Sequence, residues 1–174
     1  LSETKSAVAT VNAAADPTGA GLEGIRRFLE RLEALEIHYR KLENILFPGF
    51  EARHSEYRCI RLMWSIHDDV RRSLRRLHEL CAGPTPLVSE LNGEIGKLYF
   101  NIHAVLFREE SILFPLMSRL FSKTALNDMF LESLAFGFCL LSPAEEVRLR
   151  SRGEKWRASE HTRSSAAGPT AAGN

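Results

Sequence analysis

The sequence predicts an all-α protein, an antiparallel four-helix bundle with flexible tails at both ends. Three observations carry that prediction. Apolar residues recur at three- and four-residue steps through most of residues 22–141, the signature of helices with one buried stripe. No stretch alternates apolar and polar residues as a half-buried strand would. The connections between periodic segments are short, which sets consecutive helices side by side and antiparallel.

Bulk properties narrow the class. A chain of 174 residues suits one domain with a real core. A net charge of +1 supplies no field that would favour nucleic acid or a membrane surface. The three cysteines are scattered and form no CxxC, which speaks against a disulfide framework and for a reducing compartment. No apolar run is long enough for a transmembrane helix, and the first twenty residues lack the apolar core of a signal peptide. The expected setting is cytoplasmic.

Taken in order, residues 1–21 are rich in Ala, Ser, Thr and Gly. They cannot bury enough apolar surface to offset their ordering entropy and are expected to form a flexible arm. The bundle is expected over 22–141. Its first helix carries the stripe Ile25, Phe28, Leu29, Leu32, Leu35, Tyr39, Leu42, Leu46 and Phe50. About 27 residues at 1.5 Å each reach roughly 40 Å. Pro48 lacks an amide donor and crowds the carbonyl of Asn44, so it is expected to end or kink this helix.

After a polar link over 51–56, the second helix is expected over 57–80, with Ile60, Met63, Trp64, His67, Val70, Leu74 and Leu77 as its stripe. Gly83-Pro84-Thr85-Pro86 breaks the chain. The third helix starts near Leu87; Glu94, Lys97, Asn101 and Arg108 mark its polar face, with Tyr99, Ile102, His103, Leu106, Glu110 and Leu113 opposite. A shorter apolar helix follows over 124–141, with Thr124 as its N-cap. Residues 142–174 are charged and then Ser/Ala/Gly-rich, and read as a tail that is disordered beyond about Gly153.

Chemistry concentrates around residues 38–48. Glu43-Asn44-Ile45-Leu46-Phe47-Pro48 recurs as Glu110-Ser111-Ile112-Leu113-Phe114-Pro115, each copy preceded by a histidine, His38 or His103. A third histidine, His67, lies in the apolar stripe between them. His103 and Glu110 are seven residues apart and share a helix face, whereas His38 and Glu43 stand on neighbouring flanks. Glu36, seven residues before Glu43, offers an alternative carboxylate row. Three helices can thus aim imidazoles and carboxylates into one layer. Such groups cost several kcal/mol to bury unless paired or metal-bound. A mixed imidazole–carboxylate set suits iron, manganese or zinc rather than calcium. The plainer alternatives are a hydrogen-bonded core histidine at His67, flank carboxylates paired with Lys41 or Arg108, and Leu-Phe-Pro repeats that only pack helix ends.

The stretches His38–Pro48, Met63–Arg71 and Glu109–Pro115 together resemble the hemerythrin-like HHE cation-binding family, and within it the prokaryotic branch often attached to PAS sensor domains. The likeness covers roughly residues 22–141. It implies a four-helix bundle that holds non-haem iron, often two ions, between histidines and bridging carboxylates, beside the manganese or zinc that the donor set also suits. It also implies that His38, Glu43, His67, His103 and Glu110 stand at ligand positions, with Glu109 as the substitute for Glu110. Members carry or sense oxygen, nitric oxide or redox state, which implies a small diatomic ligand and a signalling partner. No separate substrate or acid–base machinery points to an enzyme. Two positions depart from the hemerythrin pattern. No histidine precedes His38, and Arg71 stands one turn after His67, where a second histidine belongs. An inward-facing cation there would oppose metal binding. The alternative function is a helical signalling or interaction module whose metal site has degenerated.

Overall fold

A computed structural model describes residues 20–54, 59–83 and 87–166, and every regular element among them is helical. Nearly all of the arm expected over 1–21 lies outside the described residues. The first rod is composite: α1 (Ala20–Glu33), α2 (Leu35–Lys41), a π-helical turn (Leu42–Leu46) and α3 (Phe47–Arg53). The second rod is the single helix α4 (Cys59–Ala82). The third repeats the pattern of the first, with α5 (Val88–Arg108), a π-helical turn (Glu109–Leu113) and α6 (Phe114–Leu120). Next comes α7 (Lys123–Ser133), which runs into a 3₁₀ turn (Leu134–Phe136). A fifth rod, α8, spans Pro143–Ala166. The described chain therefore has five helical rods where the periodicity predicts four.

Neither proline ends its helix; of the two outcomes expected for Pro48, an end or a kink, the first does not occur. The π turns explain why. In the first rod the Phe47 amide bonds back to Leu42, and in the third the Phe114 amide bonds back to Glu109. Each is a five-residue step that widens the turn just before a residue unable to donate. Pro48 and Pro115 then sit in the first turn of the continuing helix, where a missing amide costs nothing. The recurring Ile-Leu-Phe-Pro run is thus the sequence trace of a recurring backbone device.

Two apolar clusters fill the bundle. One gathers Leu22, Ile25, Leu29, Val70, Leu77, Leu91, Leu98 and Val105. The other gathers Leu46, Phe47, Phe50, Ile60, Met63, Leu113 and Phe121. Each side chain removed from water contributes about 1.5–3 kcal/mol. Buried polar residues lie in the same rods between residues of the two clusters: Glu43, His67 and Glu109. On the third rod the inward row runs Leu91, Ile95, Leu98, Ile102, Val105, Glu109 and Leu113. Tyr99, His103, Leu106 and Glu110 do not belong to it, so the face drawn from the sequence is off by about one residue.

The last two rods also differ from expectation. Ser122 rather than Thr124 caps α7, its Oγ accepting from the Ala125 amide at 3.2 Å. Residues 143–166 form a helix where a largely disordered tail is predicted. Ser142 and Glu145 form a reciprocal cap. Glu145 Oε2 accepts from the Ser142 amide at 2.9 Å and from Ser142 Oγ at 2.7 Å, and the Glu145 amide donates back to Ser142 Oγ at 3.4 Å. Pro143 supplies the first helical residue. Farther along, Gly153 lets α8 lie against Leu134, whose Cδ1 would stand 2.5 Å from an added Cβ. Phe138 ties the rods together, with Lys41 Nζ 4.6 Å and Arg150 Cζ 5.1 Å from its ring centroid. Ser142→Ala is expected to lose about 1 kcal/mol of helix-end stability. Faster amide exchange confined to the first turns of α8 is the readout.

Candidate metal centre

The polar layer consists of two linked pairs. In the first, His67 from α4 places Nδ1 2.8 Å from Glu43 Oε1 on the first π turn. His67 is fully buried and Glu43 is 8 % exposed. The Tyr39 ring stacks on the imidazole at a centroid distance of 4.1 Å and an angle of 16°, and Phe47 lies nearly parallel to it at 5.6 Å. Burial pushes the His67 imidazole below its usual pKa, outweighing the opposite pull of Glu43. The neutral ring with its Nδ1 proton on the carboxylate leaves Nε2 as a bare lone pair, and that buried nitrogen has no hydrogen-bond partner. Burial likewise pushes the Tyr39 phenol up, with the Glu109 carboxylate adding to the effect.

Arg71, one turn after His67, turns inward. Its Nη1 and Nη2 each donate to a Glu43 oxygen at 2.9 Å, a fork-to-fork pairing. Its Nε donates to Glu36 Oε2 at 2.8 Å and its Nη2 to Glu36 Oε1 at 3.2 Å. The Glu43 hydrogen bonds, with Glu36 behind them, hold the guanidinium charged even more firmly than usual. Three donors from His67 and Arg71 therefore use most of the acceptor sites on Glu43. A carboxylate engaged in this way is not free to bridge two ions.

The second pair is His38 of α2 with Glu109 at the start of the second π turn. His38 Nε2 lies 3.0 and 2.9 Å from the two Glu109 oxygens, and Glu109 is 2 % exposed. The Glu109 charge is also felt at His67 and Tyr39, so both pairs share one electrostatic environment.

Of the five ligand candidates read from the sequence, the structure brings His38, Glu43 and His67 into this layer. Glu110 is exposed, and Glu109 takes the inward place. The repeat itself misleads here, because it matches Glu110 with Glu43, whereas the inward row of the third rod passes through Glu109. The same alignment sets Val105, not His103, opposite His38. His103 is half-buried; its Nε2 is shielded from solvent without a partner, and its ring is 4.3 Å from that of Tyr99. It lines a cavity that His38 and Glu109 also line. Glu36 serves the layer through Arg71. Tyr39, the stacking partner of His67, was legible only as an apolar-stripe residue.

Donor chemistry decides what the layer suits. An unpartnered buried imidazole nitrogen, oriented by a carboxylate on its other nitrogen, is the way histidine is presented to a metal. Glu109 adds a buried carboxylate, and such a set suits a borderline transition-metal cation. Among the described residues, no three His, Cys, Asp or Glu side chains stand close enough to hold an ion as they are.

Fold and layer together define a helical-bundle protein with a buried histidine–carboxylate tier. The model of the hemerythrin HHE cation-binding domain matches residues 3–117, more than half of the chain. The chain belongs to the hemerythrin HHE family. No curated protein and no solved structure matches it. No described helix is long and apolar enough to cross a membrane.

Proposed function

We propose that this domain binds a single transition-metal cation, iron by the habit of its family, through His67 Nε2, Glu109 and His38, which must draw together on the ion as it binds. The observation that carries the proposal is the bare Nε2 of fully buried His67, fixed by the Nδ1 contact to Glu43. In this reading Glu43 orients His67 rather than ligating, and Arg71 holds Glu43 in place. Tyr39 and Phe47 pack the imidazole and keep it dry. A bound ferrous ion would supply an open coordination position to a small ligand such as oxygen or nitric oxide. The proposed role is carrying or sensing such a ligand, not turnover, with an intracellular signalling protein as the partner.

The test is metal content with an absorption spectrum, on full-length protein loaded with ferrous iron and desalted. About one iron per chain is expected. His67→Ala should cut it at least about tenfold, since loss of a ligand should exceed the 10–100-fold cost of disturbing a residue behind one. Iron loading unchanged by His67→Ala would end the assignment.

The Arg71 fork favours a second reading, a helical signalling or interaction module in which ion pairs have replaced the cation. Metal-free protein whose thermal unfolding is unmoved by ferrous, manganous or zinc ions would select it, because a ligand that binds the folded state must raise its stability.

A further inference from the structure

A partly open cavity of about 280 Å³ runs beside the layer, between the first and third rods. Its walls are apolar and come from Phe28 and Leu32 of α1 and from Leu98, Ile102 and Leu106 of α5. His38, Glu109, His103 and Arg31 supply polar groups to its lining, together with Tyr39 and Tyr99. From its volume and lining, we propose that this cavity is a binding site for a small neutral amphiphile: an alkyl chain of about eight carbons with one hydroxyl head.

Size sets the tail. Cavities of about 150 Å³ lined by aliphatic and aromatic side chains take benzene, and a heavy atom with its hydrogens fills roughly 30 Å³, as a water does. This cavity therefore has room for about nine heavy atoms. The lining sets the head. Glu109 is buried, and among the described residues His38 is its hydrogen-bond partner, so its two oxygens keep acceptor capacity. His103 Nε2 is buried without a partner. A hydroxyl can donate to the carboxylate and accept from an imidazole N–H with the same oxygen. Arg31 also lines the cavity but is exposed to solvent, which screens its charge; a carboxylate head beside Glu109 could only accept, and would meet that buried charge in a poorly solvated place. The inference concerns an organic ligand and goes beyond the cation reading.

Titration calorimetry of the full-length chain with 1-octanol and with octanoate tests it, with metal content measured in the same samples so that the two readings fail separately. Expected are one saturable octanol site, octanoate weaker by at least about tenfold, and Leu106→Trp, which fills the cavity from its partly exposed rim, weakening octanol at least about tenfold. No saturable octanol binding, octanoate equal to octanol, or unchanged binding in a folded Leu106→Trp chain would each overturn it. Should that variant fail to fold, wild-type nuclear Overhauser contacts decide. Contacts between octanol methylenes and the Tyr99 or Tyr39 ring support the site, and their absence under saturating octanol refutes it.

Discussion

Arg71→Leu is expected to lower stability by about 3 kcal/mol, the cost of removing one partner from a buried charge pair. For a chain of this size that corresponds to a fall in Tm of about 6–12 °C. The cause is what the substitution leaves behind. Glu43 is 8 % exposed, and without the two guanidinium bonds of 2.9 Å only His67 still binds it. Pairing Arg71→Leu with Glu43→Gln should recover much of the loss. The double variant buries no stranded charge, and the carboxamide oxygen introduced by Glu43→Gln can still accept from His67 Nδ1. Thermal unfolding of the two single variants and the double variant forms the cycle that isolates the pair. A single-variant loss no larger than the few tenths typical of an exposed ion pair would show that Arg71 is surface decoration. If the stranded carboxylate attracts a cation, added zinc should stabilise Arg71→Leu more than the wild type.

Much of this arrangement was legible because it follows from periodicity. The stripe from Ile25 to Phe50 set the first rod, and His67 stood out as the imidazole among Ile60, Met63, Val70 and Leu77. Arg71 was recognisable as a cation one turn from that histidine, but only the fold shows that it turns inward to Glu43. What the repeat could not supply was which position of the turn faces inward on each rod. The two π turns fall at matching places, so letter-by-letter matching equates Glu110 with Glu43 and Glu109 with Leu42; the first rod buries both positions of that pair, whereas the third buries only the first. The better signal lay upstream, in the spacing Leu91, Ile95, Leu98, Ile102, Val105, which continues to Glu109. The last helix was missed for another reason. Its sequence has little apolar stripe, so composition favoured disorder, while the local Ser142-Pro143-Ala144-Glu145 start signal pointed the other way.

The neighbouring carboxylates of the third rod provide the sharpest test of the candidate centre. Glu109→Gln keeps the side chain's size and removes its charge and much of its ability to ligate. It is expected to cut iron content at least about tenfold, by the same reasoning as for His67. Glu110→Gln, one residue away and exposed to solvent, is expected to leave iron content unchanged and stability within about 0.5 kcal/mol. Sequence repetition predicts the reverse order, because it pairs Glu110 with Glu43. The two single variants, each assayed for iron and for thermal unfolding, therefore discriminate the packed geometry from the motif. Loss of iron in Glu110→Gln with retention in Glu109→Gln would mean that the third rod is turned by about one residue from the arrangement described, and the His38–Glu109 pair would not belong to the centre. Equal retention in both would instead move the ion away from this rod altogether, toward His67 and Glu43, where the Arg71 guanidinium would have to swing out before any cation could enter.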